Sequence, residues 1–424
     1  MSKATLSLAA LATALAAAVV GGSSRSAVDI ALEGADPEPA GRVVPAIEAA
    51  FELEGYRPGQ RATLTIENPT GDLRLRIYRA GPEQVATTTD TEMNGVPVTS
   101  ARQVGSKPGR RTLKVAVGNW PSGLYFARLD ASDGRVGFAP FVISPRRIGE
   151  HRVAVVLPTL TWQAYNFRDD DGDGLADSWY AGRRINTVRL GRPHLDRGVP
   201  YGFRYHLGFL NWLSWTERDV DYLSQLELER VGSAEALARA YDLIVFAGHH
   251  EYVTEREFDL MEDYRDLGGN LMFLSANNFF WRVERDGNVI VKASRWRDLG
   301  RPEAGLVGVQ YVGYQREPRA GWVVRPSRAR TWLFAGTGLR PGARFSRGGV
   351  EIDQVSSDSP EGVQLVAEIP NLFGPGRSAQ MSYYETRTGA KVFAAGAFHL
   401  TRSVTNDPVV WRILENLWMK LARP

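Results

Sequence analysis

Within Gly248-His249-His250-Glu251-Tyr252, two imidazoles and a carboxylate occupy three consecutive positions of a chain that has six histidines in all. Imidazole and carboxylate are the side chains that exchange protons near neutral pH and ligate metal ions. The other reading is a polar loop whose side chains cap backbone groups or face solvent. A second chemically loaded stretch is Asp169-Asp170-Asp171-Gly172-Asp173-Gly174-Leu175-Ala176-Asp177-Ser178-Trp179-Tyr180. Counted from Asp169, carboxylates stand at positions one, three, five and nine (Asp169, Asp171, Asp173 and Asp177), with glycine at six. This is the oxygen-rich spacing that wraps a calcium ion, with Tyr180 standing where a bidentate Glu normally completes the loop. A solvated acidic turn is the alternative. Closely spaced aspartates repel unless a cation or water screens them, which favours calcium.

Both stretches need elements that hold them. Leu243–Ala247 is a short apolar run between Asp242 and Gly248, the pattern of a strand buried on both faces of a parallel sheet. Thr254 and Glu257 form a capping box, and Phe258, Met261, Tyr264 and Leu267 recur every three residues until Gly268-Gly269 ends the helix. Leu271–Leu274 reads as the next buried strand. Strand, crossover helix and strand make a βαβ unit, whose ligands sit beyond the carboxyl ends of the strands. His249, Glu251 and Asn277 fall at such ends, and so does the loop Pro158–Asn166 after the buried run Val153–Leu157.

The whole chain, 424 residues with 43% hydrophobic content, is long enough for two or three ordinary domains. Residues 1–27 join one lysine in the first positions to an apolar Ala/Leu run and then small residues, which reads as a secretory signal cleaved near Gly22 to Ala27. The run is short for a bilayer span, and a retained anchor is the alternative. The mature protein is therefore expected to be secreted or periplasmic, without stable membrane insertion. The absence of cysteine excludes disulfides, thiolate metal sites and cysteine nucleophiles together. A net charge of +3 with scattered arginines leaves no nucleic-acid footprint.

In chain order, residues 43–145 hold short alternating runs, RATLTIENP, LRLRIYRAG, TLKVAVGNW, GLYFARLDA and FAPFVIS, as in an Ig-like β-sandwich. Residues 150–424 alternate strand and helix in the order of a doubly wound α/β sheet. Beyond Trp281 the segments NVIVKAS, GWVVRPS, VEIDQVS and VQLVAEI read as β additions laid over that sheet. Met381–Glu385 and Lys391–Ala395 read as a hairpin around Thr388-Gly389, and Val409–Leu421 as a closing helix with one apolar face.

Taken together, VAVVLPTLTWQAYN, the later SWY, AGHHEY, GGNLMFLSANNFFW and MSYYETRTGAKVFAAGA resemble the large (beta) subunit of N,N-dimethylformamidase and its relatives, from about Arg57 to the C-terminus. The resemblance implies that residues 150–424 are an N,N-dimethylformamidase-like domain with the class I glutamine amidotransferase-like (flavodoxin-like) fold, without its cysteine. It also implies a mononuclear ferric ion, Fe(3+), held by two tyrosines and one glutamate: Tyr165 in QAYN, Tyr180 in SWY and Glu251 in HHEY. By the same resemblance the nearby histidine is His249, the asparagine Asn277 and a further acidic residue Glu385. The acidic loop ahead of Tyr180 has no counterpart in the family, so on the sequence Tyr180 is open to either iron or calcium.

The residue types suit that implied role. Phenolates and a carboxylate are hard anionic oxygen donors that balance a ferric charge. A phenol with an unperturbed pKa of about 10 ionises at neutral pH only beside a strong cation. The chemistry implied is hydrolysis of a small amide or related C–N bond by metal-activated water, with Glu385 or His249 as base and Asn277 donating to the oxyanion. Each residue also has a plain role: buried tyrosines with satisfied hydroxyls, Glu251 as a helix cap, His249 as a packed donor behind the ligands, Glu385 turned away from the sheet's end. Two other functions compete. One is a non-catalytic periplasmic or surface protein binding a glycan or other ligand, with a calcium-stabilised loop. The other is a polysaccharide-modifying enzyme with Glu251 and Glu385 as its acid/base pair. The resemblance also suggests an assembly, with a homo-oligomer as the expected form.

Overall fold

The alternating runs in the first part of the chain form two sheets that share one core. A computed structural model describes residues 46–422, apart from 68, 70, 84–91, 106–108 and 181–184. The signal-like residues 1–27 lie outside the described residues. One sheet joins Ala49–Phe51, Arg61–Ile66 and Arg111–Ala116. The other runs Gly55–Tyr56, Val136–Ile143, Gly123–Ala131, Leu73–Arg79 and Val96–Pro97, with Arg102–Gly105 also on Leu73–Arg79. Alternation dictates the burial: in Arg61–Ile66, Ala62, Leu64 and Ile66 turn inward and meet Ile77, Leu129 and Phe141 in the shared core.

The second part of the chain is organised by a ten-stranded sheet. Asp221–Ser224, Val153–Leu157, Leu243–Phe246, Asn270–Phe273 and Lys391–Ala394 are parallel neighbours in that order. Ala379–Glu385, Gln364–Ile369, Gln310–Val324, Arg344–Gln354 and Ala397–Phe398 follow, each antiparallel to the one before. A separate four-stranded sheet pairs Thr187–Arg189, Val289–Arg295, Trp281–Asp286 and Tyr252–Thr254.

This architecture is not the doubly wound, flavodoxin-like or class I glutamine amidotransferase-like α/β fold expected from the sequence. Strand outweighs helix, 36% to 20%, and the sheets are mixed. The physical reason is that a buried apolar run identifies a strand but neither its direction nor its partner. Three segments taken as additions over the sheet, GWVVRPS, VEIDQVS and VQLVAEI, instead extend it edge to edge. NVIVKAS belongs to the four-stranded sheet. Past Asn270–Phe273 the strands that join the sheet are linked mainly by hairpins, such as that at Thr388-Gly389, and hairpin partners are antiparallel.

Helices close the parallel half on both faces. On one, Phe258, Met261 and Tyr264 of Glu255–Asp266 pack against Ile244, Phe246, Leu271 and Phe273. Thr254 caps this helix through the Glu257 amide, but the Glu257 carboxylate turns away from the cap and accepts from Gln225 Nε2 at 2.8 Å. Leu267, expected in the apolar stripe, follows the last turn and is half exposed. On the other face, Arg204–Trp215 and Pro408–Leu421 bury Phe209, Trp212, Leu213, Ile413, Leu414 and Leu417 against Val155, Val245 and Met272.

The first of these two helices touches backbone. A Cβ at Gly208 would stand 2.1 Å from the Thr401 carbonyl oxygen. Gly208→Ala is therefore expected to destabilise the protein by about 1–3 kcal/mol, more than the ~1 kcal/mol that alanine gains over glycine within a helix. Denaturation midpoints measure it, and an unchanged or raised midpoint would show that the Thr401 segment does not press on this helix.

Candidate active site

Three loops at the carboxyl ends of the parallel strands converge. Val153–Leu157 runs through Pro158 into the buried helix Thr159–Ala164, which ends at Tyr165. The Ser178 hydroxyl donates to the Ala164 carbonyl at 2.8 Å and so fixes Tyr180, two residues on, beside Tyr165. Leu243–Phe246 leads into His249, His250 and Glu251. That loop is stitched to the one after Asn270–Phe273: the Phe279 amide donates to His250 O (2.7 Å), and the Phe280 and Trp281 amides donate to Glu251 O (3.0 and 2.9 Å). Gln225 braces the assembly from below, accepting from the Leu160 amide and donating to the Tyr252 carbonyl, both at 2.9 Å.

The result is a buried cluster of oxygens. The Tyr165 hydroxyl donates to Glu251 Oε2 at 2.6 Å, and the Tyr180 hydroxyl lies 2.9 Å from the Tyr165 hydroxyl and 3.0 and 3.1 Å from the two Glu251 oxygens. The rings of Tyr165 and Tyr180 stack at 4.4 Å, and the Tyr252 hydroxyl closes the group against that of Tyr180. His249 Nε2 stands 3.4 Å from Glu251 Oε2 and 3.4 Å from Glu351 Oε2, an ion-pair separation to both without an aligned hydrogen bond. Tyr201, half exposed, stacks on the outer face of Tyr165 at 5.2 Å. A narrow recess of only about 10 Å³, lined by Pro158, Trp162, Tyr201, Tyr205, His206 and His249, lies beside it.

Electrostatics follow from burying these groups together. Burial, then the Glu251 charge, pushes the Tyr165 and Tyr180 phenols well above their usual range. Burial raises Glu251 to about 7, opposed by His249 and by the two tyrosine hydrogen bonds and reinforced by Glu351. For His249, burial favours the neutral ring, but the charges of Glu351, Glu251 and Asp353 outweigh it and the pKa rises. His250 is the opposite case. Burial lowers it to about 3, and Nδ1 bonds the Gly248 carbonyl at 3.0 Å, so it is a neutral core histidine.

Of the residues singled out from the sequence, Tyr165, Tyr180, Glu251 and His249 meet in one cluster. Asn277 is joined to it through Asp353, whose Oδ1 accepts the Asn277 amide at 2.8 Å. Glu385 does not join it. Its side chain is 49% exposed, accepts from the Tyr383 hydroxyl and pairs with Lys420 at 3.4 Å. The acidic residue that does face His249 is Glu351, in a strand where Glu351 and Asp353 share one face and are both buried. The sequence signal was present in VEIDQVS: two carboxylates two apart in a strand point the same way. Tyr201 and Tyr252 carried no such signal. Four non-glycine residues around the cluster, Asn277, Phe279, Val350 and His399, have left-handed φ values of 52°, 60°, 73° and 84°. Such conformations cost energy and persist where the surrounding structure enforces them, commonly at functional sites.

Asp353 gives a stability test. Burial raises its carboxyl to about 8, opposed by the Asn277 amide and helped by Glu303 and Glu351. A carboxyl that holds its proton more tightly folded than unfolded contributes stability that is full below about pH 4 and is lost as pH climbs to about 8. Asp353→Asn keeps an acceptor for Asn277 without the charge. The variant is expected to lose less stability than wild type between those pH values. Parallel loss, measured by denaturation across that range, would mean that Asp353 is ionised throughout.

In the acidic loop, Asp169, Asp171 and Asp177 bring ligand oxygens within 4.8 Å of one another; Asp173 is not in that group and instead accepts from the Leu175 amide at 2.9 Å. Asp171 is raised despite the Asp173 amide, because desolvation and the charges of Asp173, Asp177 and Asp169 act against its ionisation. The Tyr180 hydroxyl faces Glu251 and Tyr165, so the residue that is open on the sequence stands with the oxygen cluster. Fully buried Arg192 ties the two features together. It donates to the carbonyls of Gln163, Asn166 and Asp177 at 3.0, 2.9 and 2.8 Å and pairs with Asp170 at 3.1 Å.

A β-sandwich followed by a mixed-sheet domain, with a buried phenol–carboxylate centre at the strand ends, is the class of protein that this fold and site define. The chain belongs to the N,N-dimethylformamidase beta subunit-like, C-terminal family, whose model matches residues 74–408. It is 33% identical over 241 residues to the N,N-dimethylformamidase beta subunit of Alcaligenes sp., covering 47% of this chain and 31% of that one. It is 34% identical over 137 residues to the corresponding subunit of Paracoccus aminophilus, covering 31% of this chain and 17% of that one. The match thus spans less than a third of either relative, and their activity comes to this chain only as a proposal. Among solved structures, the soluble domain of PmoD from Methylocystis sp. has a TM-score of 0.15 at 17% identity, over 22% of this chain and 78% of that one. A Paenibacillus cycloisomaltooligosaccharide glucanotransferase has 0.17 at 10%, over 56% and 44%. Such values carry no argument about fold or function.

Proposed function

We propose that this protein hydrolyses a small amide or related C–N bond at the Tyr165–Tyr180–Glu251 cluster, and that the cluster holds a ferric ion. The observation that carries the reading is the meeting of two partly buried phenols and one buried carboxylate within 3.1 Å of one another. The donor set suits iron: three hard oxygen ligands whose protons a trivalent cation would displace. Tyr165, Tyr180 and Glu251 would hold the ion, and when bound it would supply Lewis-acid polarisation of the amide carbonyl and acidify water. The matches to N,N-dimethylformamidase subunits support the choice of an amide.

The chain's own residues divide the remaining work. Glu351, facing His249 from the strand Arg344–Gln354, accepts a proton from the attacking water. The water oxygen bonds to the carbonyl carbon, the C–N bond breaks, and His249 Nε2 passes a proton to the departing nitrogen. The Asn277 carboxamide, whose Oδ1 has no partner among the described residues, orients the amide. Burial of the cluster keeps bulk water from competing with these contacts.

Calcium in the Asp169–Asp177 loop and export of the mature chain belong to the same proposal. The first is supported by the three converging carboxylates, the second by the signal-like residues 1–27. Elemental analysis of the purified protein with a visible spectrum tests the centre, and amine release from a panel of small amides tests the reaction. Near-stoichiometric iron with a broad tyrosinate-to-iron band is expected. Calcium without iron, and no turnover, would leave a binding protein instead.

A further inference from the structure

A third phenol stands behind the two that meet Glu251. Tyr252 opens the strand Tyr252–Thr254 and is fully buried, and its hydroxyl makes contact with the Tyr180 hydroxyl. Its backbone is pinned from three directions: the amide donates to Thr161 Oγ1 at 3.4 Å, the carbonyl accepts from Gln225 Nε2 at 2.9 Å, and Trp281 is its partner across the sheet. The ring packs on Trp179 at 4.7 Å and meets Tyr165 edge-on at 6.3 Å. A ring and backbone fixed in this way hold the hydroxyl in one place, against the Tyr180 oxygen.

Counting protons sets the direction of that hydrogen bond. Each phenol carries one proton, and an ionised carboxylate only accepts. The Tyr165 hydroxyl donates to Glu251 Oε2, and the Tyr180 hydroxyl reaches both Glu251 oxygens. With its own proton directed at Glu251, Tyr180 offers Tyr252 only lone pairs, so Tyr252 is the donor. The bond is strengthened when Tyr180 becomes a phenolate, because a hydrogen bond to an ionised oxygen is roughly twice as strong as one between neutral groups.

We propose that Tyr252 is a positioning residue of the iron centre, donating a hydrogen bond to the Tyr180 phenolate without being a ligand itself. This inference rests on the ferric reading of the cluster. A donor on the phenolate draws charge from its oxygen, lowers the energy of the filled phenolate orbital and weakens donation to the ferric ion. The tyrosinate-to-iron band therefore lies at shorter wavelength than it would without Tyr252, and the ion polarises the amide carbonyl more strongly. Tyr252 does not line the recess beside Tyr165, so its effect falls on turnover and not on substrate binding.

Tyr252→Phe keeps the ring and its packing on Trp179 and removes only the donor. The purified iron-containing variant is expected to hold wild-type iron per chain and to absorb at longer wavelength. Its kcat should fall about tenfold with KM unchanged, the scale of one hydrogen bond to a charged group. Placing 3-fluorotyrosine at position 252 makes the hydroxyl a stronger donor in nearly the same volume, and should move the band to shorter wavelength. That substitution decides the matter by itself where Tyr252→Phe does not fold, and the band decides it whether or not an amide is turned over. Full iron with an unmoved band would overturn the proposal. Loss of iron from Tyr252→Phe would make Tyr252 a ligand and overturn it as well. Wild-type protein that binds no iron would overturn the ferric reading, and this inference with it.

Discussion

Glu251→Gln is expected to strip the protein of iron and to lower amide hydrolysis by more than about a hundredfold, the upper end of what loss of a group merely supporting a metal ligand costs. Glu251 sits at the centre of the cluster, with Oε2 accepting from Tyr165 at 2.6 Å and both oxygens within 3.1 Å of the Tyr180 hydroxyl. Gln preserves the shape but removes the charge and turns an NH2 toward phenol donors that then lack an acceptor. No unpaired buried charge is created by the exchange itself, so the fold should survive and the effect should appear in metal content. Iron per chain and the tyrosinate band measure it. Wild-type stoichiometry with an unchanged band would remove Glu251 from the ligand set.

His249→Leu, in metal-free protein, is expected to cost about 3–5 kcal/mol, the scale for removing one member of a buried ionic group. The imidazole bridges Glu251 and Glu351 at 3.4 Å each, and no other cation is seen at this point among the described residues. The loss should depend on pH. Because the folded pKa of His249 is raised above its ordinary 6.5, the stability it adds is full below that value and fades as pH rises through the folded pKa. The gap between wild type and variant should therefore be widest in mild acid and narrow in base. Denaturation curves from about pH 5.5 to 8.5 give the answer, and a constant gap would place a neutral imidazole between the carboxylates.

The site was more legible than the fold. Val153–Leu157, Leu243–Phe246 and Asn270–Phe273 announced themselves as fully buried strands, and the residues just beyond them were the ones to watch because parallel strands present their ends together. Thr254 marked its helix because a cap is a local event, settled within one turn. Glu385, implied by the family resemblance, does not join the cluster. Its motif lies at the far end of a strand antiparallel to its neighbour, so the hairpin carries it to Lys420 and away from the cluster.

Residue types and local periodicity, both short-range properties, were enough to place the buried strands and the capped helix and to exclude a thiol, while the resemblance of five short motifs to a known family implied that Tyr165, Tyr180, Glu251 and His249 share one centre. Strand direction, the edge-to-edge growth of one ten-stranded mixed sheet, and the arrival of Glu351 and Asp353 beside that centre were decided only in the tertiary structure. Those features depend on which distant segments pair, and pairing is set by packing and register across the whole sheet, which no local pattern encodes.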